Sequence, residues 1–302
     1  MEATKDYVIK RPDYISFIIV VIHFIFVFFP IFFATHNEFS FITILSWLWF
    51  GIFVSGIINL MHETAHRLTF NEKKYCDILG EFFLGPLLIA DFRSFRDRHW
   101  IHHHKFGTSD DTKYIYLKKI KGLNLLKFFF ECLILKEGIK KFLNQFKNKE
   151  SKKISLIFVS KLALTQVIIL SLIFLSLYFF TNQSIFEIAF NSLLSYFFVY
   201  LYSLASLGVF FSSLRAIAEH QLNEANEMNE MIVGKAVLRN LKCNILTNLI
   251  FGSYGFSEHA THHENPRIPS YNLKKFRQII QIQKEHMIPR VGYLETLKNF
   301  IV

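Results

Sequence analysis

SFITILSWLWFGIFVSGIINLMHETAH, residues 40–66, holds most of the information about this fold. Its first part, 40–60, carries no charge and supplies the ~20 residues that a helix needs to cross ~30 Å of hydrocarbon. The run ends directly in HETAH, where His62 and His66 stand four residues apart and so share one face of a helix. An apolar helix that delivers nitrogen donors at its end is the unit from which the rest of the chain is read.

Three more stretches have the same length and character: 13–34, 154–180 and 184–211. The first follows Lys5, Lys10 and Arg11 but is too long for a signal peptide's apolar region and lacks a small-residue cleavage site, so it reads as a retained span. Of 302 residues, 52% are hydrophobic and 36 are Phe, which is unusual for a soluble domain. The expectation is one membrane-embedded unit over 1–302, an all-α integral membrane protein with four transmembrane helices.

Charge placement sets the expected topology. All 34 Lys and Arg except Lys161 lie outside the four spans, and the connectors 35–39 and 181–183 hold none. Positive charge marks the cytoplasmic side. The termini and the segments 61–153 and 212–302 are therefore predicted to be cytoplasmic, with the spans forming two hairpins. Lys161, near a span end, can snorkel to the interface. The net charge of +10 needs no nucleic acid: Lys118, Lys119, Lys121, Lys140 and Lys141 interleave with LNLLKFFFECLILKEGIKKFL (123–143), which suits an amphipathic segment lying on membrane lipid. Cys76, Cys132 and Cys243 are far apart and form no CxxC pair, so they read as reduced thiols.

Nine of the 13 His fall into a pattern: HETAH (His62, His66), HWIHH (His99, His102, His103), RAIAEH (His220) and HATHH (His259, His262, His263). In H-x-x-H-H one helical turn presents three imidazoles. His104, His23, His36 and His286 have no partner at ligand spacing and read as ordinary polar residues. Two H-x-x-H-H boxes plus H-x-x-x-H on one side of a membrane are hard to explain as packing, because buried imidazoles are costly to desolvate. Nine donors exceed the four of a zinc site. They suit two ions with positions left for oxygen or water, and nitrogen-rich open sites suit iron that activates O2.

These residues and their flanks, RSFRDRHWIHHHKFGTSDDTKY and GFSEHATHHENPRIPSYNL, resemble the membrane fatty acid desaturase family over about residues 40–275. The resemblance implies a helical fold with a cytoplasmic cap above four spanning helices, and the nine His as ligands of two non-haem irons. It implies an oxygen-dependent desaturase acting on a fatty acyl lipid, acyl-CoA or acyl-carrier-protein substrate. With no HPGG and no GxGxxG stretch, the electrons are expected from a separate ferredoxin or cytochrome b5-like donor. Richness in Lys, Ile, Asn and Phe points to a bacterial inner membrane. Hydroxylases or ketolases of fatty acids, carotenoids or sphingolipids share such boxes. An intramembrane zinc protease would bury HETAH mid-span, take a remote Asp as third ligand and leave the other boxes without a role, and a metal transporter would set ligands along its spans.

Supporting roles follow from position. Glu63, Glu219 and Glu258 each adjoin a candidate ligand, and Asp97 and Asp111 flank the second box. A carboxylate that accepts the distal imidazole N–H would fix ring orientation; the plainer alternative for each is a solvated charge at a helix end. Arg215 is expected to pair with a carboxylate in the cap.

Overall fold

The computed structural model describes residues 7–35, 41–108, 110–112, 122–144, 156–222, 231–233, 236–284, 290–293 and 295–296. His36, His286, Lys118, Lys119 and Lys121 lie outside them. Among the described residues, four helices are long and apolar enough to span a membrane: α1 (Asp13–Thr35), α2 (Phe41–Ala65), α8 (Leu156–Phe180) and a composite stretch Ile185–Glu219. Between α2 and α8 lie α3 (Lys73–Ile78), which runs through a π turn into α4 (Gly85–Leu87), then α5 (Phe92–Lys105), α6 (Leu123–Leu133) and α7 (Lys136–Asn144).

The fourth span starts with α9 (Ile185–Leu194), passes two π-helical segments, and ends in α10 (Val209–Glu219). Ser184 opens it through a capping box with Glu187. The sequence reading ended this span at 211, where Ser212, Ser213 and Arg215 interrupt the apolar run. The helix nevertheless runs on to Glu219, 35 residues in all. Since ~20 helical residues cross the ~30 Å of hydrocarbon, this length leaves room for Arg215 and Glu219 to lie beyond it. Likewise α2 does not stop at 60 but continues through His62 to Ala65.

The core lies where α2 meets α1 and the fourth helix. Phe26 packs edge-on to Phe53, and Phe28 to Phe50, with ring centroids 5.0 and 5.3 Å apart. A Cβ on Gly51 would lie 2.5 Å from Leu207 Cβ, so glycine permits this approach of α2 to the fourth helix. The outer faces of α1 and α8 expose Phe17, Ile22, Leu164 and Val167 among others, apolar surface suited to lipid. Lys161 reaches out of its span to Glu81, its ammonium 3.0 Å from that carboxylate and over the Phe82 ring.

The rest of the described residues form short helices, irregular connections and three-residue strands. β1 (His220–Leu222) and β2 (Met231–Val233) pair antiparallel with β3 (Ala236–Leu238), while β4 (Asn240–Lys242) pairs parallel with β5 (Arg290–Gly292). A short α11 (Ile245–Thr247), a π turn and a 3-10 turn (Ser253–Glu258) lead into α12 (His259–Glu264) and α13 (Ser270–Lys284). The class is the all-α fold with four membrane-length helices expected from the sequence.

Candidate metal centre

Three helix ends and one strand start deliver the imidazoles. The last turn of α2 carries His62 and its end His66. Asp91 caps α5 by accepting the Ser94 N–H, which fixes the register that aims His99, His102 and His103 inward. His220 follows the last residue of α10, and α12 is little more than the HATHH box itself. All nine converge, but in two groups: His62, His66, His99, His103 and His262, and beside them His102, His220, His259 and His263. Within each group the donor atoms lie within 4.8 Å of one another. Both H-x-x-H-H boxes straddle the groups. His99 and His103 share one while His102 turns to the other; His259 and His263 share one while His262 turns to the other.

The contacts fit cations better than hydrogen bonds. In the first group the Nε2 atoms close a ring: His66 to His99 2.7 Å, His99 to His103 3.0 Å, His103 to His262 3.3 Å and His262 to His66 3.1 Å. Each Nε2 of a neutral imidazole carries at most one proton. Four such atoms in a ring can therefore satisfy only two of the four contacts as N–H···N bonds; a central cation takes every lone pair at once. In the second group His220 Nε2 lies 2.8 Å from His259 Nε2 and 3.3 Å from His102 Nε2. Burial, aided by the neighbouring rings His103, His259, His102 and His220, holds His263 well below the usual imidazole pKa, so it is a neutral electron-pair donor.

The outer contacts orient these rings. His102 Nδ1 lies 2.8 Å from Asp111, with both side chains sealed from solvent, and His220 Nδ1 lies 3.0 Å from the Ala216 carbonyl. Donating Nδ1–H in both cases turns the Nε2 lone pair inward. Glu219 is buried with its Oε2 3.8 Å from Arg215 Nε and 4.0 Å from His259 Nε2. Glu63 instead accepts the Ser270 N–H at the start of α13. Glu258 faces Arg277 at 2.9 Å and Arg290 at 2.7 Å; burial still pushes its carboxyl above the usual range against both arginines. Asp97 is exposed on α5, unlike the buried His99 and His102 that follow it.

Two residues of the site escaped the sequence reading. Asn59 is fully buried and donates to the carbonyls of Phe251 and Ser253, while accepting from Arg215. It ties α2 to the turn before the third box. Its signal was a lone amide in an apolar span, three residues before His62. Phe256 lies 4.6 Å from the His62 ring, stacks at 5.2 Å on His259 and carries the Arg215 guanidinium 3.9 Å above its face.

Against this centre lies a cavity of about 560 Å3, within the range of small-ligand sites. Its walls include Ile58 and Met61 of α2, Leu204 and Val209 of the fourth helix, and Ile139 and Phe142 of α7. Ile58 is one helical turn before His62 on the same face, and Arg98, also in the wall, adjoins His99.

The sequence pattern of the fatty acid desaturase family matches residues 39–290. The chain belongs to this family. No curated protein and no solved structure shows significant similarity to it. Membership carries with it an oxidoreductase reaction of the desaturase or hydroxylase type, a lipid substrate and an external source of electrons. The histidine groups are compatible with a metal site, and the four long apolar helices suit a membrane enzyme.

Proposed function

We propose that the chain is an oxygen-dependent fatty acyl desaturase, with one iron held by His62, His66, His99, His103 and His262 and a second by His102, His220, His259 and His263. The observation that carries this reading is the juxtaposition of two nitrogen-rich donor groups with an apolar cavity one helical turn away. When bound, a pair of irons supplies oxygen activation strong enough to remove hydrogen from an unactivated C–H bond. The overall change balances as one methylene pair, one O2, two electrons and two protons giving one double bond and two waters.

The protein's own part is positioning. Asp111 and the Ala216 carbonyl set the tautomers of His102 and His220. Asn59, Arg215 and Phe256 brace the His62 and His259 rings, and the cavity walls hold a chain of methylenes straight against the centre while excluding water. The electrons come from a ferredoxin or cytochrome b5-like protein. The excess of Lys and Arg outside the spans supports a centre and termini on the cytoplasmic face, in this reading of a bacterial inner membrane.

The test is expression with a reducing partner in a host lacking the activity, followed by mass spectrometry of acyl chains. New unsaturated chains are expected. Hydroxylated products would move the assignment to a hydroxylase, and stoichiometric zinc without iron after anaerobic purification would overturn both.

A further inference from the structure

Helix α1 supplies no ligand to either donor group, yet its one imidazole reaches the turn that leads into the third box. His23 Nδ1 lies 2.9 Å from the Tyr254 hydroxyl, and the two rings stack with centroids 5.3 Å apart. The ring fits because residue 56 is glycine: a Cβ there would lie 2.6 Å from His23 Nε2 and 3.3 Å from Ser253 Oγ. A histidine within a membrane-length apolar helix is costly without a polar partner, and such residues tend to serve a site.

The partner is held in an unusual backbone state. Tyr254 has φ 52° and ψ 43°, and Gly255 follows at φ 77°. Glycine takes this left-handed region freely, but a bulky aromatic residue does so only where its surroundings hold it there. The two residues kink the chain between the π turn (Asn248–Gly252) and the start of α12.

Three helices fix this kink. From α2, Asn59 donates to the Ser253 carbonyl at 3.1 Å and to its hydroxyl at 3.0 Å, and Ser55 donates to the Ile250 carbonyl. On the α13 side the backbone comes so close that a Cβ on Gly255 would meet Leu273 at 2.7 Å. From α1, His23 holds the Tyr254 side chain. Two residues on, Phe256 lies against the His62 and His259 rings. Then α12 sends His259 and His263 to one donor group and His262 to the other. A rotation at Tyr254 would therefore disturb ligands of both groups.

We propose that His23 is a positioning residue for the metal centre: by holding Tyr254 in the left-handed conformation it fixes the kink that places His259, His262 and His263. This rests on the nine histidines holding metal, not on the reaction assigned to them. A plain packing role would be met by any ring of similar size, whereas positioning requires the hydrogen bond.

Cobalt(II) tests the inference without turnover. The full-length protein in detergent is loaded with cobalt(II), whose visible bands respond to the number and arrangement of its donors, and a chelator then competes for the ions. His23→Phe keeps a ring against Gly56 but loses the hydrogen bond. Tyr254→Phe loses the same bond by removing one oxygen atom, and guards against a folding defect in the first variant. Each should shift the cobalt bands and release both ions at about tenfold lower chelator concentration, the low end for loss of a group that orients a ligand. The double variant should lose no more than either single one, since all three lack the same contact. His23→Asn, whose amide stands near the Nδ1 position, should recover most of the loss.

Unchanged bands and release in both single variants would overturn the inference, as would additive losses in the double variant. So would a melting temperature that falls while the bands stay as in wild type, or His23→Asn behaving as His23→Phe. Wild-type protein that takes up no cobalt would overturn the metal reading and this inference together. Wild-type protein that binds both ions and makes no double bonds would sink the desaturase reading alone.

Discussion

Replacing Asp111 by Asn tests whether the second histidine group is a metal site held in a particular tautomer. Asp111 Oδ1 faces His102 Nδ1 at 2.8 Å, and Oδ2 accepts the Gly107 N–H at 3.3 Å. Asparagine keeps the shape but has one acceptor for two donors. If its carbonyl stays on His102, its NH2 opposes the Gly107 N–H. If it flips, NH2 faces Nδ1, and the imidazole must carry its proton on Nε2, the atom aimed at His220. Both outcomes occur where neither side chain meets solvent, so water cannot relieve them. Loss of such an orienting carboxylate typically costs 10- to 100-fold in metal affinity, or about 1.4–2.8 kcal/mol. Chelator competition on the iron-loaded protein, followed by elemental analysis, should show one ion per chain leaving at lower chelator concentration while the other holds. Two ions retained with wild-type affinity would refute the tautomer argument.

The other expectations concern the frame around the centre. Asn59→Ala strips donors from the Phe251 and Ser253 carbonyls and an acceptor from Arg215, all within the core; about 2–4 kcal/mol of stability should go, read as a fall in the detergent melting temperature. A wild-type melting temperature would deny Asn59 its bracing role. Lys161→Met removes a part-buried ion pair but leaves Glu81 its Arg93 partner, so the cost should stay near ~1 kcal/mol; a loss of several times that would mean the pair is essential. Burial raises the Asp77 carboxyl, but hydrogen bonds and charge from Arg67 and Arg96 outweigh it and leave it below the usual 3.8. A depressed acid stabilises the fold above its unfolded pKa and loses that contribution as pH falls through the folded one. Acid titration of the melting temperature should therefore show a decline below about pH 4 that Asp77→Asn removes; an identical decline in the variant would assign it to other carboxylates.

Much of this was legible in the sequence, for physical reasons that also explain the gaps. Length and apolarity announce a span, so all four were found. They do not announce where a helix ends once it leaves lipid, because Ser212, Arg215 and Glu219 are acceptable in any wet helix; the extension to Glu219 therefore went unread. Spacing brought nine histidines to one region but did not divide them. Residues four apart share a face, which links His99 to His103 and His259 to His263. That their neighbours His102 and His262 turn to the opposite group depends on which helices flank the box, a tertiary fact. The carboxylates were the hardest to read: Glu63, Glu219 and Glu258 all adjoin a ligand and Asp97 stands two residues before one, yet Glu63 holds a helix start, Glu258 holds arginines and Asp97 faces outward. Asp111, eight residues from the nearest ligand, meets an imidazole nitrogen head-on.

The straddling boxes also determine what evolution can and cannot adjust. His102 and His103 are joined by one peptide unit, as are His262 and His263, so their Cα atoms stay ~3.8 Å apart however the helices shift. The gap between the two donor groups is thus gauged by covalent geometry. The gap between either group and the cavity has no such gauge; it depends on how α7 and the fourth helix lean on α2. Substitutions that tilt or slide those helices can move the reacting methylene along the chain while the donor pair keeps its spacing.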